Sequence, residues 1–403
     1  MLSAMRPILI LSVLFLLIFS CNSLRKSFDV NQGEVSGTGY KESIAIEYMK
    51  DKIILPVRIN GKLRRFIFDT GAITVISESL HQEMDYPVMG EDFFYDFHKN
   101  RDTSLLVRTG EIQLGGFIFN RVPALVYAMD DLPWSCFQID GIIGSNMLRN
   151  VAVQIDLRDS LFSLAADAQL LNHSMEQAQP MRLDRQSSPH IHVQFTREHE
   201  GFYLFDSGRE GLFNLHHDDF RAMKNDLHLQ FRRQGYGSDQ MGMIGTGEHG
   251  RIYRIKVDSL LLAGIHIQEP CLEVTPNVAG IGSQLFQYGK LILDYKDKRF
   301  LLEPYDQPLV YQEPDEPGFG FNPVVIRDTL RVGLVWEQSL VDSLGVKPGD
   351  RILRINQYNY TDSLHQAFCK SFRKDVLKEA KILEMIYQNK NGDYKRVKIR
   401  RKR

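Results

Sequence analysis

The chain has 403 residues, a length that allows two to four domains. Its 49 lysine and arginine residues are balanced by 50 aspartate and glutamate residues, so the charge gives no reason to expect a nucleic-acid partner. The exception is the basic end at residues 395–403, where alternating polarity favours a final strand with a charged tail over a nucleic-acid arm.

The amino terminus has the pattern of a secretory signal. A basic residue precedes an apolar run at residues 7–19, which is too short to span a bilayer comfortably. The end of this run resembles a bacterial lipobox, although Phe19 is bulkier than the usual residue. The resemblance implies a signal peptide at residues 1–20, lipidation of Cys21 and a polar tether at residues 21–45. An uncleaved membrane anchor is the alternative, and in both cases we expect the folded part outside the cytoplasm, tethered to a membrane.

Strand signals dominate the middle of the chain. Residues 53–59 and 63–68 flank Asn60-Gly61, which is a strong signature of a hairpin turn. Runs with a period of two residues and tight turns between them indicate a β lobe in each half. Residues 166–188, rich in Gln, Ser and Pro, are predicted to cross from one lobe to the other.

Two short motifs recur along the chain. Asp69-Thr70-Gly71 ends one apolar run, and Asp206-Ser207-Gly208 ends another 137 residues later. Downstream segments recur at nearly the same spacing: Ile143-Gly144-Ser145 with Ile281-Gly282-Ser283, and residues 153–156 with residues 291–294. An internal duplication is the simplest explanation. The alternative is that each triplet is only a turn after a strand, because Asp, Ser and Gly are common turn formers.

The paired triplets are suited to one kind of chemistry. A carboxylate at the end of a buried strand needs local hydrogen-bond donors, which a glycine N–H and a nearby hydroxyl supply. A twofold-related arrangement would bring Asp69 and Asp206 to about 3 Å, where both cannot be ionised. The ionised carboxyl would take a proton from water while the protonated one hydrogen-bonds the carbonyl under attack. The pair therefore predicts amide hydrolysis without a metal or a cofactor.

These motifs also carry a family resemblance. The chain resembles the retropepsin-like and pepsin-like aspartic proteases, in the single-chain bacterial form with two lobes. The resemblance implies a mainly β fold in which two β-barrel-like lobes, at residues 46–170 and 185–305, are related by a pseudo-twofold axis. It also implies a catalytic pair and its supporting residues: Asp69 and Asp206, with Thr70, Gly71, Ser207 and Gly208.

Two positions of the second copy depart from the family pattern. Ala72 follows the first triplet, whereas Arg209 follows the second, where the family usually has a small residue. Gly280 replaces the apolar residue that is Ile142 in the first copy. A guanidinium aimed at the dyad would favour two ionised carboxylates and inactivate the enzyme. We favour the interpretation that Arg209 points to solvent or binds an acidic side chain of a substrate.

Proteases of this family cover the cleft with a hairpin flap, and two segments are candidates here. One is residues 92–105, and the other is the glycine-rich stretch at residues 234–250. The second has more features of a flap, but its glycines are equally typical of a disordered loop. Closure of a flap would exclude water and position the peptide.

A third domain is predicted at residues 318–403, after a proline-rich acidic linker. The Leu-Gly-Val-Lys-Pro-Gly-Asp stretch at residues 344–350 is its most specific feature, and with Gly318-Phe319-Gly320-Phe321 it resembles a PDZ domain of α+β fold. The resemblance implies that the amides of the glycine loop receive a peptide carboxylate. It also implies that His365, where the groove-lining helix begins, contacts a peptide side chain; an exposed helix histidine is the alternative.

The remaining cysteines do not follow the repeat. Cys136, Cys271 and Cys369 occupy positions that are not equivalent in the two copies. An odd number argues against a disulfide framework, so we expect buried thiols, with a Cys136–Cys271 bridge as the alternative. No sequence motif for a metal or a nucleotide is found, so we expect neither a metal nor a cofactor.

The leading hypothesis is a lipid-anchored aspartic endopeptidase of the bacterial cell envelope, whose PDZ domain binds peptide termini. The alternative is a non-catalytic peptide-binding scaffold in which Arg209 has inactivated the dyad. A carbohydrate-binding protein has little support, because the chain has only two tryptophans. The expected partners are a peptide or protein substrate, a peptide C-terminus at the PDZ domain, and the membrane. Since both Asp loops lie on one chain, we expect a monomer.

Overall fold

The structure is a computed structural model that describes residues 28–37, 40–238, 242–311 and 318–401. Within these ranges the chain is mainly β, which confirms the predicted fold class. Among the described residues, no helix combines the length and the apolar character needed to cross a membrane. The predicted signal peptide and Cys21 lie outside the described residues.

The first lobe contains eleven strands in one sheet. One further strand, β2, belongs to a sheet between the lobes. The twelve strands are β1 (Glu34–Ser36), β2 (Glu42–Ala45), β3 (Glu47–Met49), β4 (Lys52–Ile59), β5 (Lys62–Asp69), β6 (Val75–Ser77), β7 (Val88–Tyr95), β8 (Arg101–Arg108), β9 (Ile112–Leu114), β10 (Phe117–Asn120), β11 (Pro123–Tyr127) and β12 (Gly141–Gly144). The tether prediction is wrong for β1 and β2, because β1 pairs with β10 and β2 also joins a sheet.

The second lobe repeats this arrangement. Its strands and those that connect it to the first lobe are β13 (Ala152–Asp156), β14 (Leu161–Ala165), β15 (Gln179–Leu183), β16 (Pro189–Gln194), β17 (Glu200–Phe205), β18 (Phe213–His216), β19 (Leu229–Gly237), β20 (Gly250–Val257), β21 (Ser259–Leu262), β22 (Ile265–Gln268), β23 (Cys271–Thr275), β24 (Gly280–Ile281), β25 (Gly289–Asp294), β26 (Arg299–Pro304) and β27 (Leu309–Val310). The order Asp loop, hairpin and apolar-glycine strand is the same in both lobes.

A sheet built from both halves joins the lobes. Its strand order is β2, β14, β13, β25, β26 and β15. The strands β13 and β25 contain the duplicated segments, and they pair antiparallel, with Val153 opposite Leu293 and Ile155 opposite Leu291. The duplicated elements therefore lie on either side of the pseudo-twofold axis. The predicted crossover at residues 166–188 contains β15, so it is not only a connecting loop.

The hairpin of β4 and β5 shows how the sequence positions the first Asp loop. Asn60 and Gly61 have φ values of 49° and 74°, the left-handed conformation that a two-residue hairpin turn requires. Alternate residues of β4 face a core that runs through both lobes: Ile53, Leu55, Val57 and Ile59. Ile54 and Ile67 face a separate cluster on the other side. Because most of β4 and residues 66–68 of β5 are buried, the strand that ends at Asp69 is held by packing on both faces.

The C-terminal module comprises residues 318–401. Its strands are β28 (Phe321–Ile326), β29 (Thr329–Trp336), β30 (Arg351–Ile355), β31 (Tyr358–Asn359), β32 (Ile382–Gln388) and β33 (Tyr394–Arg400). The α-helices of the described chain are α1 (Glu78–Met84), α2 (Ser145–Leu148), α3 (His217–Met223), α4 (Leu340–Ser343), α5 (Leu364–Arg373) and α6 (Val376–Glu379). Short 3-10 helices occur at Trp134–Cys136, Ala168–Leu170, His173–Gln177 and Ser283–Gln287. The module has its own hydrophobic core.

The module is attached to both lobes. A disulfide joins Cys136 of the first lobe to Cys369 on α5, and β29 pairs with β19 of the second lobe. The expectation of buried thiols is therefore wrong for Cys136 and Cys369, and it holds for Cys271, which is buried and not part of a disulfide. The two bonded cysteines lie 233 positions apart, so their pairing depends on how the module docks and not on the repeat.

Candidate active site

The two Asp loops are joined by a reciprocal set of hydrogen bonds. The Thr70 hydroxyl donates to the Phe205 carbonyl over 2.5 Å, and the Ser207 hydroxyl donates to the Phe68 carbonyl over 3.1 Å. The N–H of Thr70 donates to the Ser207 hydroxyl and the N–H of Ser207 donates to the Thr70 hydroxyl, each over 2.9 Å. Both side chains are fully buried. Each lobe therefore satisfies the polar groups of the other, and the two loops are fixed relative to each other.

The two aspartates meet beside this set of bonds. The carboxyl groups of Asp69 and Asp206 lie close enough for the negative charge of Asp206 to raise the pKa of Asp69. The N–H of Gly71 donates to Asp69 over 2.8 Å, and the N–H of Gly208 donates to Asp206 over 2.9 Å. A Cβ atom on Gly71 would lie 2.5 Å from Asp206 Cγ, and one on Gly208 would lie 2.2 Å from Asp69 Oδ2. Glycine is required at both positions because the carboxyl group of the opposite lobe lies against it.

The surroundings of Asp69 favour its protonated form. Burial, and then the negative charge of Asp206, raise the pKa of Asp69 to about 8. The Gly71 N–H and the charge of Lys52 act in the opposite direction. Lys52 is buried at the start of β4, one residue before Ile53, which pairs with Phe68. At neutral pH the pair therefore holds one proton and carries one negative charge.

The duplicated apolar-glycine segments lie directly beside the Asp loops. In the first lobe β12 runs parallel to β5, with Gly144 opposite Asp69. In the second lobe β24 runs parallel to β17, and the N–H of Asp206 donates to the Ile281 carbonyl over 2.9 Å. A Cβ atom on Gly144 would lie 2.3 Å from a backbone carbon, and one on Gly282 would lie 2.4 Å from a carbonyl oxygen. The recurrence seen in the sequence therefore reflects close packing of backbone against each Asp loop.

A hydroxyl network supports the first Asp loop and has no equivalent in the second. Ser145 donates to the Thr70 carbonyl over 2.8 Å and lies 3.0 Å from the hydroxyl of the buried Tyr295. Ser283 is the counterpart of Ser145, and its buried hydroxyl has no hydrogen-bond partner among the described residues. The position that corresponds to Tyr295 in the other half is Leu157, which offers no hydroxyl. Tyr295 could not be predicted from the recurring motif, because only Ser145 of this pair belongs to it.

Arg209 is enclosed by protein and does not point to solvent. Its side chain is 2% exposed, so that part of the prediction is wrong. The guanidinium donates to Asn214 Oδ1 over 2.6 Å and to the Val278 carbonyl over 2.7 Å. The ring of Phe97, from the hairpin of β7 and β8, lies 4.9 Å from the guanidinium carbon. A cation–π contact therefore joins this hairpin to the second lobe.

The two departures from the family pattern form one structural feature. A Cβ atom on Gly280 would lie 3.0 Å from Arg209 Nη1, so the apolar residue found at this position in the first lobe would collide with the guanidinium. Arg209 Nε is 3.9 Å from Asp206 Oδ2, on the Asp206 side of the pair. Gly280 thus provides space for a cation that favours the negative charge on the dyad at Asp206.

Both segments considered as flaps form hairpins, and their tips meet. Asn100 Nδ2 donates to the Thr246 carbonyl over 3.2 Å, and the N–H of Ile244 donates to Asp96 Oδ2 over 3.3 Å. The first hairpin also contacts the second lobe, where His98 Nδ1 lies 2.7 Å from Asn277 Oδ1. The first hairpin is therefore hydrogen-bonded both to the loop of the second hairpin and to the second lobe.

The predicted peptide site of the C-terminal module is divided in the structure. Gly318, Phe319 and Gly320 of the predicted loop line a cavity shared with β19, whereas Phe321 is buried in the core of the module. His365, in contrast, faces the first lobe, with Nε2 2.8 Å from Ser135 Oγ. His365 is exposed beside this contact, so its contact with a peptide side chain stays a prediction.

Sequence comparison identifies the first lobe. Residues 55–147 match the family model described as Aspartyl protease. The first lobe is similar to aspartyl proteases. No curated protein matches the chain at a significant level.

Several solved structures are similar. A retropepsin-like aspartic protease from Rickettsia conorii is 16% identical over 33% of this chain and 93% of its own, with a TM-score of 0.23. Basic 7S globulin from soybean is 10% identical over 65% of this chain and 94% of its own, with a TM-score of 0.40. Conglutin gamma from lupine seeds has the same identity and coverage, with a TM-score of 0.37.

The described residues contain no group of three or more His, Cys, Asp and Glu side chains positioned to hold a metal ion. Two cations act on the carboxyl pair: the charge of Lys52 lowers the pKa of Asp69, and Arg209 Nε lies 3.9 Å from Asp206 Oδ2. Neither Lys52 nor Phe97 was singled out from the sequence. The position of Lys52 follows from the pairing of β4 with β5, and that of Phe97 follows from its contact with Arg209.

Proposed function

We propose that this chain is an aspartic endopeptidase whose catalytic pair is Asp69 and Asp206. The observation that carries the proposal is the reciprocal bonding of Thr70 and Ser207, which brings the two carboxyl groups into contact. The match of residues 55–147 to the aspartyl protease model supports the same conclusion from sequence. Two lobes on one chain supply both halves of the site, so a monomer is sufficient.

The surroundings of the two carboxyl groups assign their roles. Asp69, with its pKa raised to about 8, keeps the shared proton, and Asp206 beside Arg209 carries the negative charge. Asp206 takes a proton from the attacking water as the new C–O bond forms, and Asp69 gives its proton to the carbonyl oxygen. Asp206 then gives the proton that it took from water to the amide nitrogen, and Asp69 takes a proton back from a hydroxyl of the tetrahedral intermediate as the C–N bond breaks. The products are a carboxylic acid and an amine, and the pair again holds one proton. The hairpin tips exclude bulk water during these steps.

A second candidate function is a non-catalytic peptide-binding scaffold. The observation that favours it is the charge of Arg209, which lies 3.9 Å from Asp206 and would stabilise two ionised carboxylates. The position of the guanidinium argues against it, because Asn214 and the Val278 carbonyl hold the charge on the far side of Asp206.

The cellular setting is part of the proposal. We infer an extracytoplasmic lipoprotein of a bacterial cell envelope, anchored through Cys21. The Cys136–Cys369 disulfide supports this location, since such bonds persist in oxidising compartments. The C-terminal module is proposed to be a PDZ domain, and its glycine loop, strands and helix α5 support that assignment.

The experiment is a digestion of proteome-derived peptides by the fragment that begins after Cys21, across acidic to neutral pH, with mass-spectrometric identification of the new termini. We expect cleavage below about pH 8, because above that value Asp69 loses its proton. The Asp69→Asn fragment is the control and should release no termini. A wild-type fragment that is inactive but gains activity with Arg209→Ala would select the scaffold function instead. Binding of a statine-type inhibitor should protect the wild-type protein from thermal unfolding.

A further inference from the structure

The charge of this chain is unevenly distributed. Residues 318–403 contain 18 lysine and arginine residues and 9 aspartate and glutamate residues, whereas residues 1–317 contain 31 and 41. The C-terminal module is therefore strongly basic and the rest of the chain is acidic, although the whole chain is nearly neutral. Such an asymmetry indicates a surface for an anionic partner. No step of the proposed hydrolysis uses this charge.

Much of the positive charge lies on one side of the sheet of the module. In this sheet β32 pairs antiparallel with both β30 and β33. Alternate residues of the three strands enter the core of the module, among them Ile352, Leu383 and Val397. Because successive side chains of a strand point to opposite sides, the residues between them project from the other side of the sheet.

The side opposite the core carries six cations, and we call it the basic face. Arg331 lies opposite Arg351, and Ile386 lies opposite both Arg354 and Arg396, so the strand register places these side chains on one side. The six are Arg331 from β29, Arg351 and Arg354 from β30, and Arg396, Lys398 and Arg400 from β33. The cations are thus spread over three strands.

The basic face has little negative charge to balance these cations. Glu384 is the one carboxylate in the four strands β29, β30, β32 and β33. It already accepts hydrogen bonds from Arg354 over 2.8 Å and from Arg396 over 2.6 Å. The face therefore keeps an excess of positive charge, which favours an anionic partner.

Two of the cations repel each other across the sheet. Arg331 and Arg351 are directly opposite, and like charges in this arrangement destabilise a sheet. Arg331 donates to the Gly349 carbonyl over 2.8 Å, and Arg351 is exposed. An anion bound at this point would relieve the repulsion, so the pairing is better explained by a ligand than by stability.

Exposed apolar groups lie among the cations. Ile382 pairs with Arg400 and is 44% exposed, and Tyr394 pairs with Gln388 and is 73% exposed. Both therefore project from the basic face. Cations that contact headgroups, beside aliphatic and aromatic groups that enter the interface, are typical of proteins that lie on a membrane. An extended face of this kind suits a charged surface better than a single small anion.

We propose that the basic face binds the surface of a bilayer that contains anionic phospholipids. The attraction of each cation is small and falls off within about 8 Å at physiological salt, so the face must lie against the headgroups. Weak binding is sufficient, because the proposed lipid at Cys21 already keeps the chain at the membrane. A second attachment also orients the chain, with the module towards the bilayer and the acidic remainder repelled from it.

The test is co-sedimentation of the mature chain with vesicles. The chain carries Cys21→Ser, so that no lipid is attached, and the vesicles are phosphatidylcholine alone or with about one third phosphatidylglycerol. At about 0.15 M salt we expect roughly hundredfold tighter binding to the anionic vesicles, and at about 0.5 M salt most of this difference should be lost. Equal binding to both kinds of vesicle, or binding to neither, would overturn the proposal.

A triple variant locates the binding surface. Arg351→Gln, Lys398→Gln and Arg400→Gln together remove three exposed cations from the basic face. We expect roughly thirtyfold weaker binding to the anionic vesicles, since most of the excess charge of the face is lost. The melting temperature should be unchanged, because all three side chains are exposed. Unchanged binding by this variant would exclude the basic face as the membrane contact.

A second triple variant is the matched control. Lys370→Gln, Lys374→Gln and Lys378→Gln remove the same charge from exposed positions on and between α5 and α6, outside the sheet. Binding to the anionic vesicles should weaken by less than about threefold, because these positions lie off the contact. If both triple variants lost binding equally, the net charge of the module would be responsible and the assignment to the basic face would be wrong.

Two further outcomes would assign the basic face to another partner. Self-association without vesicles, abolished by the variant of the basic face, would mean that the face binds the acidic lobes of a second copy. Tighter binding to a DNA duplex than to the anionic vesicles at the same salt would mean a nucleic-acid surface. The inference does not require hydrolysis: failure of vesicle binding would leave the proposed function intact, and vesicle binding by a protein that never cleaves peptides would refute only the proposed function.

Discussion

The two halves of the dyad share a backbone and differ in their side chains. In both halves a hydroxyl crosses to the opposite strand and a glycine contacts the opposite carboxyl group. The first half adds the Ser145–Tyr295 network beneath its loop, and the second adds the buried Arg209 beside its aspartate. Duplication thus preserved the elements that bring the carboxyl groups together, while the residues around them diverged.

This difference bears on the position of the proton. A symmetric pair would share its proton equally, because neither carboxyl would have a preferred charge. Arg209 on one side, with burial of Asp69 on the other, favours a proton on Asp69 and a charge on Asp206. If the proposed hydrolysis occurs, the asymmetric surroundings should allow it near neutral pH, where the Asp69 proton is still present.

The largest expected effect comes from removing either carboxyl group. Asp69→Asn and Asp206→Asn should each lower kcat by about a thousandfold or more, because one half of the proton transfer is lost. The measurement is the rate of peptide cleavage, with the melting temperature as a control for folding. Full activity in either variant would show that this aspartate takes no part in the mechanism. The two halves would then not contribute equivalent catalytic groups.

Arg209→Ala tests the asymmetry directly. A nearby cation lowers the pKa of a carboxyl pair, so its removal should move the pH–rate profile to higher pH by about one unit. Arg209→Lys, which keeps the charge, should shift the profile less. An unchanged profile in Arg209→Ala would mean that the guanidinium only fills space.

The raised pKa of Asp69 also predicts a pH-dependent stability. Between about pH 4, the unfolded pKa, and about pH 8, the folded protein retains a proton that the unfolded chain has lost. Raising the pH through this window should therefore destabilise the wild type relative to Asp69→Asn, with no further change above about pH 8. Denaturant unfolding of both proteins across this range measures the difference. If the difference in unfolding free energy between the two proteins did not change with pH, Asp69 would not be the group that holds the proton.

Gly280→Ile restores the first-lobe residue in the second lobe. A Cβ at this position would lie 2.9 Å from the Leu204 carbonyl and 3.0 Å from the Arg209 guanidinium, so we expect a loss of about 1–3 kcal/mol of stability. The double variant with Arg209→Ala should recover part of this loss in thermal unfolding. Additive losses would show that the two departures from the family pattern are independent.

The smallest expected effect separates two equivalent serines. Ser145→Ala removes hydrogen bonds to the Thr70 carbonyl and to Tyr295, and should cost about 1 kcal/mol. Ser283→Ala removes a hydroxyl for which no partner is found among the described residues, and should leave stability unchanged or slightly raise it. If Ser145→Ala and Ser283→Ala changed the melting temperature equally, the hydrogen bonds of Ser145 would not stabilise the first Asp loop more than Ser283 stabilises the second.

Some features could be predicted from the sequence because they depend on local pattern. The hairpin around Asn60-Gly61, the mainly β class and the pairing of recurring motifs all follow from residues close together in the chain or repeated along it. The cysteine prediction was wrong because Cys136 and Cys369 meet only when the module docks on the first lobe. The repeat contains no information about that docking.

The sequence by itself determined that two aspartates with flanking hydroxyls and glycines recur in equivalent settings, since the duplication copies both the residues and their spacing. Only the tertiary structure decided that Gly280 makes room for Arg209, that the charge of Lys52 acts on Asp69 and that β19 joins the module. Each of these depends on the distance between atoms far apart in the chain, and that distance is set by how whole strands pack.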